Sequence, residues 1–390
     1  MAFGLATLSS IAGVLTARHA AGSLITGGID ILGALESTSV LSFSYTDNTS
    51  DKADDFSVEI ADPHRTWMQS YLPKKGSEVQ AAIKVFNWTT PGDTRSFDCG
   101  TFFIDEIGYA GPPNTVSIKA TSIPVATGLK NQKKYRFWED QPVQAIAAQV
   151  AAEHGLALIW DVGKMVVAKL KRVDQVEMPD LEFLRDLVKD HSIKLKIFNR
   201  QLVMYSEEEY EAKPPVYTML YGASNILSYQ FTSRLNDMFA QGTVAYVSPA
   251  TGNKIEGTYV APVKPEGVGQ ETTNQGHERV EDEDDPDGDG DGDGDGLREV
   301  AAGVDYSNEN AAAAEAAKQK AKSKLREKNK WEKEATIVIV GDPGYLSGLC
   351  VQLLGFGIFD GQWFIDTSHH SISEQGYVTE LQMHMALKGY

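Results

Sequence analysis

The stretch LSFSYTDNTSDKADDFSVEI (residues 41–60) decides the fold, because its apolar side chains alternate with polar ones. Leu41, Phe43 and Tyr45 fall on one face of an extended chain, and FSVEI repeats the alternation after a turn signal at Asp47-Asn48. A period of two is typical of a β-strand with one buried face, whereas an amphipathic helix has a longer period. The stretch therefore predicts two neighbouring β-strands.

The same alternation continues beyond residue 60 and returns towards the end of the chain. Turn signals rich in Gly, Pro, Asn and Asp separate the short apolar runs. The candidate strands are 79–86, 101–110, 115–122, 226–233, 238–247, 254–261, 335–340, 350–359, 361–370 and 377–387. Short strands divided by tight turns indicate an antiparallel barrel or sandwich, with Trp67 as a core residue.

Between the two β-rich regions the apolar period becomes helical. The run QPVQAIAAQVAAEHG (141–155) predicts a helix that ends at Gly155, and a second helix follows Pro179. Further strands are predicted at 156–160, 164–168, 193–198 and 201–205. We therefore predict a mainly β protein with an α+β insertion: two β-barrel-like domains, a small α+β inserted domain with a weak internal repeat, and one long helix.

Changes in composition and period divide the chain into six segments. They are an N-terminal arm (1–22), a first β-barrel-like domain (23–129), a small α+β inserted domain (130–215), a second β-barrel-like domain (216–261 with 335–390), an acidic disordered insertion (262–305) and a basic helix (306–334). The arm has no charge before Arg18, unlike a signal peptide. Packing on a neighbouring chain is the favoured role of the arm, with a disordered tail and membrane contact as alternatives.

The acidic insertion contains PDGDGDGDGDG at residues 286–296. An EF-hand loop needs a bidentate Glu at its twelfth position, and no frame that begins on an aspartate here places one there. Between Glu281 and Gly296 there are ten carboxylates and no Lys or Arg, so like charges keep the segment extended and hydrated. We predict a spacer without a formed metal site; weak calcium binding is the alternative.

The predicted helix 306–334 carries eight Lys or Arg residues from Lys318 to Lys333. Alanine and other strong helix formers favour it, and Ser307 is a suitable N-cap. A solvated charged face is the expected explanation for so many charges, and pairing with the acidic insertion is the alternative.

The sequence contains no recognisable catalytic or cofactor motif. Its two cysteines, Cys99 and Cys350, match no metal-ligand spacing, which fits a reducing compartment. Its net charge of −18 argues against a protein that holds nucleic acid by phosphate contacts. We therefore predict no catalytic residue, no cofactor and no metal.

Two pairs of adjacent polar residues do not change this expectation. His369 and His370, like Asp105 and Glu106, are neighbours on predicted strands, where successive side chains point to opposite faces. We expect one of the two histidines to face the core and the other to be exposed.

Three stretches resemble one protein family. They are 41–83, with its TDN, ADDF and LPKKG elements; CGTFFIDEIGYAGPPNTVSIKATS (99–122); and 341–383, with GDP, GFG and FDG in order. Together they resemble the late control protein D-like family, the baseplate hub proteins of contractile-tailed phages and related injection systems. The resemblance spans roughly residues 24 to 388; the residues before about 22 and the DG-rich run fall outside it.

The resemblance implies a structural virion protein of the tail baseplate, assembled in the host cytoplasm. Three chains would form a homotrimeric ring, a symmetry adaptor that joins the sixfold tail tube to the threefold central spike. Its partners would be the tail tube protein, the central spike protein and other baseplate proteins. DNA would pass through the lumen without specific binding, and no stable membrane insertion is expected.

Two alternatives concern the bacterial cell wall. The first is a tail-associated glycan hydrolase, although nothing in the sequence pairs lone carboxylates such as Glu153 and Asp161. The second is a peptidoglycan-binding module, for which residues 130–212 are the candidate. The sequence does not identify the residues of any partner interface.

Overall fold

The structure is a computed structural model that describes most of the chain. The described residues are 19–26, 29–30, 32, 40–50, 52–69, 73–88, 90–124, 127–163, 170–189, 191–223, 225–234, 238–247, 254–262, 279–281, 310–387 and 389.

These residues form β-strands for the most part, with a few helices. The strands are β1 (His19–Thr26), β2 (Ile29–Asp30), β3 (Val40–Asn48), β4 (Asp55–Ala61), β5 (Glu78–Phe86), β6 (Thr94–Ala110), β7 (Thr115–Thr121), β8 (Lys133–Gln141), β9 (Ala157–Asp161), β10 (Leu170–Pro179), β11 (Ile193–Phe198), β12 (Gln201–Ser206), β13 (Tyr217–Leu220), β14 (Ile226–Ser233), β15 (Gln241–Val247), β16 (Lys254–Val260), β17 (Arg279–Glu281), β18 (Lys333–Val340), β19 (Cys350–Leu354), β20 (Gly361–Ser373) and β21 (Gly376–Met385). The helices are α1 (Thr66–Gln69), α2 (Val143–Glu153), α3 (Asp180–Lys189), α4 (Glu207–Glu211) and α5 (Asn310–Asn329), with a 3₁₀ turn at Gly357–Phe359.

The strands predicted from residues 41–60 are confirmed as the antiparallel pair β3 and β4. The register places Phe43 opposite Val58 and Tyr45 opposite Phe56, and all four side chains are buried. They pack with apolar side chains of β5, β6 and β7 and with Trp67, which is buried as predicted. Burial of each such aromatic or branched side chain contributes about 1.5–3 kcal/mol, so this core drives the folding of the first half.

The first half of the sheet has the strand order β3-β4-β7-β6-β5-β1, with the short β2 on β1. Strand β1 curls back over Phe43: a Cβ atom on Gly22 would lie 2.3 Å from the Phe43 ring. Glycine is therefore required at this crossing, since any side chain would collide with the core.

The second half has the strand order β14-β18-β21-β20-β19-β13. Its core contains side chains that alternate along each strand, including Ile337 and Ile339 of β18, Trp363 of β20 and Leu381 of β21. On β18 every second residue is buried, as the period of two predicts. The prediction of a mainly β fold with an α+β insertion is confirmed.

The two halves form one 13-stranded sheet, because β20 pairs with strands of both. Its first part lies against β19, a bulge follows between Ile365 and Thr367, and its last part pairs with β3 from Thr367↔Asn48 to Ser373↔Ser42. A bulge bends a strand and increases its twist, which lets β20 leave one half and enter the other.

The α+β insertion packs α2 and α3 on a three-stranded sheet with the order β11-β12-β9, and β8 pairs with β10. Both predicted helices are confirmed, and Gly155 after α2 adopts a φ of +69°. The predicted strand 164–168 lies outside the described residues. Sequence analysis missed β8 and β10.

The region 238–261 was assigned to the second β-barrel-like domain, but its strands β15 and β16 form a separate sheet with β17. Helix α5 packs on this sheet, and a Cβ on Gly257 would lie 2.1 Å from the Lys318 backbone nitrogen. The helix is shorter than the predicted 306–334, because the chain becomes strand β18 at Lys333. The first residues of β18, Lys333, Glu334 and Ala335, also favour helices, so the sequence does not mark where the helix ends.

The ends of two predicted segments differ from the described elements. Strand β1 begins at His19, inside the predicted arm 1–22, while residues 1–18 lie outside the described part of the chain. Of the acidic insertion 262–305, Pro262 and strand β17 are described; Ser307 is outside too. Among the described helices, none combines the length and hydropathy needed to span a membrane.

Candidate functional site

The face of the 13-stranded sheet that points away from the two cores carries rows of polar side chains across both halves. Strand register aligns these residues laterally, since directly paired residues share a face. The first row is Ser228, Val338, Glu380, His369, Thr46, Asp55 and Thr121, and the second is Gln230, Thr336, Gln382, Thr367 and Asn48. The third is Val340, Val378, Ser371, Ser44, Ser57, Lys119 and Glu106, and the fourth is Ser373, Ser42, Glu59, Ser117 and Gly108. We call these four rows the polar face.

Hydroxyl groups dominate the polar face, and its fixed charge is negative. It contains four carboxylates, on Asp55, Glu59, Glu106 and Glu380, and one ammonium group, on Lys119. Lys119 is already paired with Glu106 at 3.2 Å. The surface therefore offers many short polar side chains and no free cluster of cations with which to hold a phosphate backbone.

A cavity of about 450 Å³ opens at one end of the polar face. Its wall includes Asn48, Lys52, Gln230, Thr336, Thr367 and Gln382. Its carboxylates are engaged: Glu334 binds Arg234 at 2.7 Å, and Asp366 binds His384 at 2.7 Å. Burial opposes charge on His384, but Asp366 and Glu211 outweigh it and raise its pKa to about 10. The paired charges stabilise this end of the second half.

An aromatic cluster lies at the open end of the second half, between β13 and β14. Tyr221, Leu227, Tyr229 and Ile358 are 60%, 54%, 48% and 70% exposed. Tyr229 contacts Phe356 with a ring-centroid distance of 5.5 Å. We call Tyr221, Leu227, Tyr229, Phe356 and Ile358 together the aromatic seam. Large exposed apolar patches are rare on soluble monomers and mark interaction surfaces.

A buried ion cluster fixes the α+β insertion to the sheet. The Lys196 ammonium of β11 binds the Asp47 carboxylate of β3 and lies 3.2 Å from that of Asp54. Asp47 also accepts a hydrogen bond from the Ser347 backbone N–H at 2.8 Å. Burial, with a contribution from Asp47, raises the pKa of Asp54 to about 7 although Lys196 opposes the shift. Two carboxylates thus share one cation where three parts of the chain meet.

The basic helix α5 exposes part of its charge, at Lys318 and Lys328, but buries the rest, which corrects part of the sequence-based expectation of a solvated face. Arg326 is 1% exposed and binds the Glu211 carboxylate of the acidic helix α4, while Lys330 is 4% exposed and lies 3.4 Å from Glu207. Lys322 binds Glu208 at 2.8 Å. The EEEYE sequence of α4, N-capped by its preceding serine, was the missed signal for this pairing.

The residues considered as catalytic candidates do not form an active site among the described residues. Of the two adjacent histidines, His370 is the one that faces the core, and its ring nitrogens lie near hydroxyl groups of Ser368, Tyr377 and Thr379. The adjacent His369 lies on the polar face and is half-buried rather than fully exposed. The adjacent acids at 105 and 106 are both exposed at a bulge, and both cysteines are buried thiols.

One carboxylate cluster in the α+β insertion was missed by sequence analysis. Glu153 and His154, at the end of α2, lie beside Asp180, the first residue of α3. Asp180 is fully buried, and each of its carboxylate contacts is short. Side-chain nitrogens of Lys134, Arg136 and His154 each lie 2.6 Å from one of its carboxylate oxygens. Burial opposes ionisation of both carboxyls, but these partners lower the pKa of Glu153 and Asp180. A glycosidase acid needs a raised pKa, so the cluster is suited to structure rather than to acid catalysis.

Comparison with known proteins gives one curated relative, which matches part of the chain. No family model matches the chain. This chain is 28% identical to a probable baseplate hub protein of Escherichia phage P2 over 159 residues. These residues are 40% of this chain and 38% of the relative. The matched region is thus less than half of either protein.

Solved structures give a match over almost the whole chain. A tail protein from Neisseria meningitidis MC58 has a TM-score of 0.63 at 16% identity, covering 94% of this chain and 96% of its own. The 43 kDa tail protein of prophage MuSo2 from Shewanella oneidensis has a TM-score of 0.63 at 14% identity, covering 95% and 99%. The fold is therefore that of phage tail proteins. The predicted resemblance to baseplate hub proteins is confirmed.

The ion cluster at Lys196 makes a testable prediction about pH. Asp54 keeps its proton in the folded protein up to about pH 7, whereas an unfolded aspartate loses it near pH 4. The folded state thus binds more protons in that window, and this group destabilises the fold as pH rises through it. We expect Asp54→Asn to gain about 1–4 kcal/mol relative to wild type between pH 4.5 and pH 8, measured by urea unfolding.

The matched control is Glu106→Gln, which removes an exposed carboxylate from the same sheet. The free energy of unfolding of this variant, relative to wild type, should change less between about pH 4.5 and pH 8 than that of Asp54→Asn. An Asp54→Asn variant that loses stability relative to wild type as pH rises would contradict the assignment.

Proposed function

We propose that the chain is the hub subunit of a contractile-tail baseplate, and that three copies form a ring joining the tail tube to the central spike. The observation that carries the proposal is the single sheet across two halves, of seven and six strands, with one polar face. The relation to a baseplate hub protein and the tail-protein fold support it. Its action is mechanical and geometric, in the virion baseplate.

Two halves per chain explain how one ring meets two symmetries. Each half has its own core, so three chains would present six β bodies in succession. Such a ring suits a sixfold tube on one side and a threefold spike on the other. Head-to-tail contacts of this kind close when the rotation between copies is right. Strand β14, which has a partner on one side only among the described strands, is suited to the contact between copies.

The polar face is suited to be the wall of the central channel. Hydroxyl side chains hydrogen-bond water, and the excess of carboxylates repels phosphates. DNA would then pass without specific binding, because no array of free Lys or Arg on the polar face is available to displace its counterions. The opposite face of the sheet holds both cores.

The first test concerns the contact between copies. We expect Tyr229→Glu to raise the dissociation constant of the trimer at least about 10-fold, because a carboxylate would be buried in the interface. Sedimentation equilibrium over a range of concentrations measures it. Tyr135→Glu is the control, since Tyr135 is 70% exposed on β8, away from the aromatic seam. Equal effects of both changes, or a wild-type monomer, would refute the proposal.

The second test concerns the channel wall. Replacing Glu59 and Glu380 by lysine changes the charge of the polar face by four units per chain, or about twelve per trimer. We expect assembled particles to retain DNA during ejection, with a delay that shortens as salt is raised. Glu59→Gln with Glu380→Gln is the milder control. Unchanged ejection by the lysine variant would argue against this face as the wall.

The third test separates the hub from a cell-wall enzyme. In the α+β insertion, the carboxylates of Glu153 and Asp180 are both paired with Arg136. We therefore expect purified protein to leave no clearing in a cell-wall zymogram. Lysozyme serves as the positive control. Clearing that disappears in Glu153→Gln would favour the glycan hydrolase instead.

The peptidoglycan-binding alternative has one feature in its favour. Tyr135 and Phe137 expose their rings on the same face of β8, at 70% and 57%. Exposed rings can stack on sugars, and sedimentation of the protein with purified cell walls would reveal such binding. The role is compatible with a hub, since it involves a different unit of the chain.

A further inference from the structure

The second half of the sheet is open on one side. Its strand order begins at β14 and ends at β13, and these two strands are not paired with each other. Strand β14 pairs only with β18, and β13 only with β19, so each has an unpaired edge among the described strands. Open strand edges are sites where a further strand adds.

The aromatic seam lies at this opening and continues into the core. Tyr221 and Tyr229 approach within 6.2 Å between ring centroids, and Phe231 stacks on Phe359 at 4.6 Å. Phe231 also contacts Trp363, which is fully buried. The exposed rings are thus the outer layer of the same apolar cluster, left uncovered where the sheet stops.

The occupant of the seam should be uncharged, because the five seam residues themselves carry no charge. Residues 2–17, AFGLATLSSIAGVLTA, contain no charged side chain and end two residues before β1. Extended, these residues span roughly 50 Å at about 3.3 Å each, enough to cross a neighbouring half. The acidic run 281–296 would instead place carboxylates against apolar rings.

We propose that residues 2–17 of one copy bind the aromatic seam of the neighbouring copy as an added strand along β14. The inference rests on the proposed ring. Strands β1 and β14 lie at opposite ends of the strand order, so head-to-tail packing brings the β1 end of one copy towards the β14 edge of the next. Leu227 and Tyr229 alternate along β14 and would receive every second side chain of the arm.

The test places a photo-cross-linking p-benzoylphenylalanine at Tyr229 of the full chain. Normal and ¹⁵N-labelled copies are mixed, dissociated and reassembled before irradiation, and mass spectrometry identifies the linked peptides. We expect links to residues 2–17, with mixed-isotope pairs showing that the arm belongs to another copy. Links to the arm of the same copy, or to another segment, would overturn the inference. The same probe at Tyr135 is the control and should not capture the arm.

A second measurement keeps the inference separate from the proposed function. Hydroxyl-radical footprinting compares Tyr221 and Tyr229 in the full chain and in a variant that lacks residues 2–17. We expect their oxidation to increase at least about 5-fold in the deletion variant, with Tyr135 unchanged. If the full chain is a trimer and the deletion changes nothing, the arm is not the occupant although the ring stands. If the full chain is a monomer, both the ring and the arm contact fail.

Discussion

The pairing of β20 with β3 is the constraint on which the rest of the structure depends. It joins residues more than 300 positions apart, from Thr367↔Asn48 to Ser373↔Ser42, and turns two separate cores into one sheet. Backbone ladders fix the relative position of their strands to within a residue, because a slip of one residue would turn core side chains to the opposite face. The ladder therefore sets both the spacing of the two halves and the continuity of the polar face.

Buried ion pairs attach the remaining units to this sheet. Lys196 connects the α+β insertion to Asp47 of β3, and Arg326 connects helix α5 to Glu211 of α4, which in turn contacts His384 of β21. Removal of one partner from a buried pair typically costs about 3–5 kcal/mol, since the other charge is left uncompensated. Such contacts are directional, and they hold each unit in one orientation where a purely apolar contact would allow sliding.

Local patterns predicted the elements that are decided locally. The alternation in 41–60 predicted β3 and β4, and the helical spacing after Pro142 and Pro179 predicted α2 and α3. The sequence also predicted the resemblance to baseplate hub proteins, through the order of non-catalytic motifs. Burial of Trp67 was also predicted, and the period of two predicted that one of the two adjacent histidines would be buried, which is His370.

Features that depend on distant partners were not predictable in this way. The charges of α5 suggested a solvated face because their partners, in the short helix α4, lie about 115 residues earlier in the chain. The polar face exists only through the register of eight strands, and the aromatic seam only because β13 and β14 do not pair. Residues such as Tyr229 look like ordinary core positions in the sequence, since the alternation of a strand does not reveal that it is the last in its sheet.

The most direct test of the central claim is an electron cryo-microscopy reconstruction of the assembled protein. The account predicts three chains around one axis, six β bodies in succession and the polar-face residues lining the channel. A reconstruction in which the β3–β20 ladder is broken, or in which the polar face points outward while another surface lines the axis, would contradict it.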